Sequence, residues 1–335
     1  MKVGVIGAGF IGAIHLDAYA NMPEVEVLGV ADARPETATA GAAIVGAHAY
    51  PSYEELVAAE EVDVVDVCLP TAFHRELALK AAREGKHVIL EKPIARTLED
   101  AEAIVEAFSS TRSSTQQRLF VGHVVRFFPE YQRIKAMVDE GDLGTLGIVR
   151  TSRRSPFLRG WNDWYADWRM SGGVLLDMLI HDFDFLRWTL GEVERLYARG
   201  VMGREYNRLD YALVTLRFAG GAIAHVEGHW GYPGAFNYSI EVAGSRALVV
   251  ADSTQPGSVQ LLGGDLGSGA STTESPDVIS GKSPFQTELE HFIHCIATGE
   301  ESLVEPDDAY EALRIGLAAT ESVVSGKPVR LGRDV

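Results

Sequence analysis

The chain has 335 residues, of which 46% are hydrophobic and 23% charged, the balance of an ordinary globular protein with room for two domains. Its 30 basic and 47 acidic residues leave a net charge of −17, which argues against nucleic acid and anionic membranes as partners. No apolar run approaches the ~20 residues of a membrane span, the first strand leaves no space for a signal peptide, and the two distant cysteines, Cys68 and Cys295, suggest neither a disulfide framework nor a zinc site; a cytoplasmic protein is the simplest account.

Residues 2–6 (KVGVI) form a β-branched apolar run, the pattern of a buried parallel strand. The run enters Gly7-Ala8-Gly9-Phe10-Ile11-Gly12, a complete G-x-G-x-x-G. A helical pattern follows, then a second apolar strand over 25–31 that ends in Asp32. Gly7 allows a tight turn, Gly9 lets backbone N–H groups approach a diphosphate, and Gly12 lets the helix pack closely. The diphosphate would sit at the positive end of the helix dipole. Asp32 lies 32 − 12 = 20 residues past the last glycine, where a carboxylate accepts hydrogen bonds from an adenosine ribose. The segment therefore predicts a dinucleotide site, with NAD preferred over NADP because Asp32 repels a 2′-phosphate, although Arg34 could turn toward one.

After Arg34 come a small-residue helix, a short strand over 47–50, and a capping box at Ser52–Glu55 before another helix. Residues 62–69 read as a third buried strand, followed by Pro70-Thr71 and a helix from His74 to Glu84. Residues 86–90 form a fourth, ending in Glu91-Lys92-Pro93; a helix over 97–108 and a strand over 119–122 close the series. Strands alternating with helices give right-handed parallel crossovers and a doubly wound sheet. Ligands bind at the carboxyl ends of such strands. The predicted cofactor rim is accordingly Gly7, Gly9, Phe10, Ile11, Gly12, Asp32, Arg34, Leu69, Pro70, Thr71, His74, Glu91 and Lys92.

Beyond Arg126-Phe127 the pattern changes to a helix over 129–140, a strand over 146–155 and a helix over 173–190. From 193 to 251 short strands are separated by turns at Gly203, Gly220-Gly221, Pro233-Gly234 and Gly244-Ser245, the mark of an antiparallel sheet. A Gly/Ser/Thr-rich stretch over 263–283 reads as a mobile loop, and helices over 285–297 and 307–325 follow. The fold class is α/β: a Rossmann domain over 1–123, then an α+β domain with an open, mostly antiparallel sheet over 124–335.

Three groups carry candidate chemistry. Lys92, beside Glu91 at a strand end, is placed to meet a substrate oxygen; a solvated strand-end lysine is the alternative. Asp177 and His181 stand at i and i+4 on one face of an apolar helix. Burying both is costly unless they pair, and a paired Asp–His can orient a general base or serve as a structural capping pair. Asp182 and Asp184 serve the opposite face or a layer behind the pair. Arg150, Arg153, Arg154, Arg159 and Arg169 alternate with Trp161, Trp164 and Trp168. Guanidinium forks with aromatic faces suit a polyhydroxylated ring or an anion; a solvated or subunit-contact segment fits equally. His225, Glu227 and His229, and His291, His294 and Cys295, share faces, but no metal is expected because hydride transfer to nicotinamide needs none.

Together the glycine loop, Glu91-Lys92-Pro93, Gly122-His123 before Arg126-Phe127, Ser171-Gly172-Gly173 with Asp177 and His181-Asp182, and the closing Ser325-Gly326-Lys327-Pro328 resemble the glucose–fructose oxidoreductase/inositol dehydrogenase (Gfo/Idh/MocA) family, inositol 2-dehydrogenases most of all. The resemblance implies oligomers, dimers or tetramers, joined through the open sheet, with Lys92, Asp177 and His181 around the nicotinamide. It implies that His181 removes a hydroxyl proton, Asp177 orients and favours the charged imidazole, and Lys92 stabilises charge on the reacting oxygen. His123, Arg126, Arg153, Trp161 and Trp164 are the expected contacts to a cyclic polyol or sugar. A non-catalytic sugar or NAD sensor and an NAD-dependent glycosidase are the other readings.

Overall fold

The computed structural model describes residues 1–109, 117–201, 210–255, 259–263, 271–274 and 282–332. The first half alternates as the sequence predicts: β1 (Lys2–Ile6), α1 (Phe10–Tyr19), β2 (Glu26–Ala31), α2 (Pro35–Val45), β3 (His48–Tyr50), α3 (Tyr53–Ala59), β4 (Val64–Val67), α4 (His74–Arg83), β5 (His87–Glu91), α5 (Leu98–Ser109) and β6 (Leu119–Gly122). The six strands pair in parallel in the order β3-β2-β1-β4-β5-β6. That order reverses between β1 and β4, the crevice where a doubly wound sheet binds nucleotides. Val3, Val5, Val64, Val65 and Val67 are wholly buried, because helices cover both faces of a parallel sheet and leave its strands no polar side. Ser52 Oγ accepts from the Glu55 amide at 3.3 Å, capping α3.

The second half contains α6 (Pro129–Asp139), β7 (Leu146–Ser155), the short α7 (Trp168–Ser171), a π-helical turn over Val174–Met178, and α8 (Ile180–Leu190). Then come β8 (Val193–Val201), β9 (Asp210–Phe218), β10 (Ile223–Trp230), β11 (Asn237–Gly244), β12 (Ala247–Asp252), β13 (Val259–Gly263) and β14 (Ser271–Glu274). The chain closes with α9 (Pro284–Thr298), α10 (Pro306–Ser325) and β15 (Val329–Arg330). Nine strands form one sheet in the order β14-β13-β12-β11-β7-β10-β9-β8-β15, antiparallel except for β7 with β10. Residues 271–274 pair with β13 as a strand, so that part of the expected loop is ordered sheet; most of the rest, and the turn at Gly203, lie outside the described residues.

Side chains alternate cleanly along this sheet. Ala212, Val214, Leu216, Phe218, Ala224, Val226 and Trp230 point into the core with Leu175, Leu179, Phe183 and Phe185. The opposite face presents Leu213, Thr215, Arg217, His225, Glu227 and His229, and no helix of the described chain covers it. The two halves interlock: Leu289, Phe292 and Ile293 of α9 join the core under β1 and β4, while Ala309, Ala312 and Leu313 of α10 join the one on the other face of the parallel sheet. Among the described residues no helix is long and apolar enough to cross a membrane.

Candidate active site

The glycine loop is shaped by its own backbone. Gly7 sits at φ +92°, and a Cβ there would meet the Cys68 carbonyl oxygen at 2.5 Å. A Cβ on Gly12 would lie 1.9 Å from the Gly7 carbonyl oxygen, so the start of α1 can close onto β1 only with glycine there. A Cβ on Gly9 meets nothing, and Gly9 caps α1 without any side-chain acceptor. The loop therefore turns bare backbone amides toward open space, which is what a diphosphate requires. Phe10 is exposed and Ile11 partly so; Leu69 and Pro70 line the same rim with Thr71 buried behind them.

At the end of β2, Asp32 accepts from the amides of Ala8 (3.1 Å) and Arg34 (2.9 Å). The Arg34 guanidinium lies against the same carboxylate, Nε to Oδ1 at 3.2 Å. Arg34 is thus an anchor for Asp32 rather than a free cation. These groups fit the adenosine half of NAD.

Two positive-φ glycines, Gly172 and Gly173, carry the chain from α7 into the π turn. The spacing of Asp177 and His181 predicts a pair on one regular helix, and the structure corrects that. The π turn holds Asp177, α8 starts only at Ile180, and the carboxylate turns to a different partner. Lys92 Nζ donates to the Asp177 carbonyl oxygen at 2.8 Å and to its carboxylate Oδ1 at 3.3 Å. Among the described residues His181 Nδ1 is buried without a partner, while part of the residue stays open to solvent. Burial first, then the cations Lys92 and Arg153 and the neighbouring His123, hold the imidazole well below the ordinary histidine range. Asp177 therefore does not charge His181; the site keeps it neutral. Burial raises the Asp177 carboxyl, with Lys92 working against the rise.

Other predicted residues take supporting places. His74 is wholly buried, its Nδ1 and Nε2 each 2.9 Å from a carbonyl oxygen, of Pro93 and Leu69 respectively. It ties two rim segments together and is not exposed to a cofactor. Glu91 is buried and accepts from the Lys92 amide at 3.1 Å.

Arg126 was expected to bind substrate, but it is buried. It forks onto Asp184 (2.8 and 2.6 Å) and also reaches Asp308 at 3.0 Å. Arg153 is likewise buried, on Asp182 at 2.9 Å and the Tyr131 hydroxyl at 3.3 Å. Each guanidinium forks onto an acid of α8, Asp184 for Arg126 and Asp182 for Arg153, and so ties that helix to its neighbours. His123 is wholly buried with neither ring nitrogen bonded among the described residues, and its charge would bear on His181.

Trp161 is exposed on a 3-10 segment, and Trp164 stacks on Tyr165 at 4.0 Å. Neither indole has a described contact with the Lys92–Asp177 centre. Tyr165, which the sequence reading passed over among the tryptophans, does bear on it: burial, then the charges of Asp177 and Glu91, push its hydroxyl up. Arg96 donates to the carbonyl oxygens of Arg169 (3.1 Å) and Trp168 (2.8 Å), holding that segment at the site. Of the residues weighed for metal, Glu227 lies 3.6 Å from Arg154, His225 shares a hydrogen bond with Thr215, and His291 accepts from the Leu303 amide.

The parallel sheet, glycine loop and Lys92 centre agree with what comparison finds. The model of an oxidoreductase family with an NAD-binding Rossmann fold matches residues 1–123, and the GFO/IDH/MocA C-terminal domain matches 131–250. The chain is 31% identical to myo-inositol 2-dehydrogenase of Thermotoga maritima over 338 residues, covering 99% of this chain and 98% of the other. The chain belongs to the Gfo/Idh/MocA family of oxidoreductases. A second member, inositol 2-dehydrogenase of Rhizobium meliloti, is 29% identical over 99% of both chains. The crystal structure of levoglucosan dehydrogenase with NADH and levoglucosan matches with a TM-score of 0.89 at 24% identity, covering 99% of each chain, and speaks to the fold alone. As a Gfo/Idh/MocA member the protein is an NAD-dependent dehydrogenase acting on CH–OH groups.

Proposed function

We propose that the protein oxidises a secondary alcohol of a cyclic polyol or sugar, as an inositol 2-dehydrogenase does. The observation that carries this reading is the meeting of Lys92, Asp177 and a neutral His181 at the carboxyl edge of the parallel sheet. When bound, NAD supplies the hydride acceptor. An ammonium has three N–H donors. Two of those on Lys92 go to Asp177, which leaves the third for the reacting oxygen, where it stabilises developing negative charge. His181, uncharged before the reaction, takes the hydroxyl proton. Asp177 holds Lys92 in place, and Tyr165 lies close enough to feel the charge of Asp177. The inositol dehydrogenase names of the relatives support the choice of a cyclic polyol.

We also propose a homo-oligomer, dimer or tetramer, closed through the uncovered face of the nine-stranded sheet. Ile148 and Leu213 stand there 41% and 42% exposed, among Arg150, Glu227 and Glu241, a mixed face suited to a two-fold contact.

The test is to screen inositols, other cyclic polyols, aldoses and uronates with NAD, following NADH absorbance. Net NADH from a cyclic polyol is expected, with His181→Ala lowering turnover about 10²–10⁴-fold. Binding without turnover would make the protein a sensor; sugar cleavage without net NADH would make it a glycosidase.

A further inference from the structure

Beside Glu91, at the end of the strand that carries Lys92, lies a second polar cluster to which the proposed reaction gives no role. His15 of α1 is buried between two carboxylates: Nδ1 lies 2.9 Å from Asp66 Oδ2, and Nε2 lies 3.3 Å from Glu91 Oε1. The Tyr19 hydroxyl donates to the same Asp66 oxygen at 2.9 Å, and Cys68 Sγ sits 3.4 Å from His15 Nδ1. Over this cluster α9 places Glu288, which is 0% exposed and has no hydrogen-bond partner for either carboxylate oxygen among the described residues. Its nearest landmark is Gly122: a Cβ there would meet Glu91 Oε1 at 3.0 Å and Glu288 Oε2 at 3.8 Å. The two carboxyl groups therefore both lie beside Gly122.

Charge counting makes this arrangement untenable as drawn. Were Asp66, Glu91 and Glu288 all ionised, a charged His15 would leave two buried negative charges without a counterion, at a cost no fold tolerates. Asp184 adds no relief, because Arg126 already belongs to it. On α9 itself, Glu290 is bonded to Gln286 and His291 accepts from the Leu303 amide. At least one positive charge must enter, as a proton or as a metal ion. His15, Asp66 and Cys68 do bring three ligand atoms within 4.8 Å of one another. However, His15 Nδ1 and Cys68 Sγ are already hydrogen-bonded to Asp66, and burial followed by Asp66 pushes the Cys68 thiol up to about 12, which makes it a poor ligand.

We propose that Glu288 is a resident neutral carboxylic acid, wholly buried beside Glu91 at the end of the Glu91–Lys92 strand. A carboxyl that is wholly buried and has no donor partner favours its neutral form, and another carboxyl nearby adds to the effect. Burial, then Glu91, accordingly hold the Glu288 carboxyl well above the glutamate range.

The experiment compares wild type with Glu288→Gln, whose amide imitates the neutral acid. Infrared spectra at neutral and mildly alkaline pH should show a protonated carboxylic acid band in wild type that Glu288→Gln lacks. Asp177→Asn serves as the control for the other raised carboxyl. As pH rises above the ordinary glutamate value, only the unfolded state releases this proton. Wild-type stability should then fall relative to Glu288→Gln, about tenfold in the folding constant per pH unit. If Glu288→Gln does not fold, the wild-type band and its loss on unfolding at the same pH decide. Absence of the band, or parallel stability profiles, overturns the proposal. So does a bound metal whose removal by chelation lowers Tm.

Discussion

Lys92 and Asp177 are joined twice, Nζ to the backbone carbonyl at 2.8 Å and to the carboxylate at 3.3 Å, across 85 residues of sequence. The aspartate therefore fixes the lysine, and the histidine four residues on is left to the field of its cations.

That field sets the pH dependence. Oxidation needs the neutral imidazole, and His181 is held well below the ordinary histidine range. The acid limb of kcat/KM should therefore fall below the ordinary histidine pKa of about 6.5, leaving the profile flat through neutrality. Lys92→Met removes the cation that, after burial, does most to depress it. The limb should move to higher pH in that variant while turnover drops. An unmoved limb in Lys92→Met would separate the two residues.

Asp177→Asn keeps the shape of the side chain and weakens its hold on Lys92. We expect kcat to fall with little change in NAD affinity, because the glycine loop and Asp32 are untouched. Calorimetric titration with NAD beside steady-state kinetics reads both. A matching loss of NAD binding would assign Asp177 to the cofactor site.

Arg126 and Arg153 make opposite predictions from a sugar-binding role. Each is buried on an acid of α8. Removing one partner of a buried pair costs roughly 3–5 kcal/mol. Arg126→Ala and Arg153→Ala should both lower stability in denaturant titrations by about that amount. A variant of unchanged stability with a raised substrate KM would restore that arginine to the substrate.

Cofactor choice turns on Asp32 and Arg34 as a pair. Asp32→Ser frees the guanidinium of Arg34 and deletes the carboxylate that meets a ribose diol. The preference for NAD over NADP should shrink by roughly 1–3 kcal/mol, the range for a charged hydrogen bond left without its partner. Ratios of kcat/KM for the two cofactors test it; an unchanged ratio places the discrimination elsewhere.

The uncovered sheet face gives the last prediction. Leu213→Glu adds a charge to a surface proposed to be buried between subunits. Light scattering should show the wild type as an oligomer and the variant shifted toward monomer. A wild type that is monomeric at micromolar concentration ends this reading.

The sequence by itself determined the order of elements, the glycine loop with its acid, and the change from parallel to antiparallel sheet. Those signals are local: periodicity, turn residues and glycine spacing act over a few residues. It also named Lys92, Asp177 and His181, through motifs resembling a known family. What only the tertiary structure decided is which charges meet. Asp177 bonds Lys92 and not His181. Arg126 goes to Asp184 and Asp308, 58 and 182 positions away. Glu288, unremarked in its helix, lies over Glu91 because α9 returns to the first domain's core. Spacing along a helix says which side chains could touch. Burial decides which must, since a charge removed from water takes whatever partner the packed chain brings within reach.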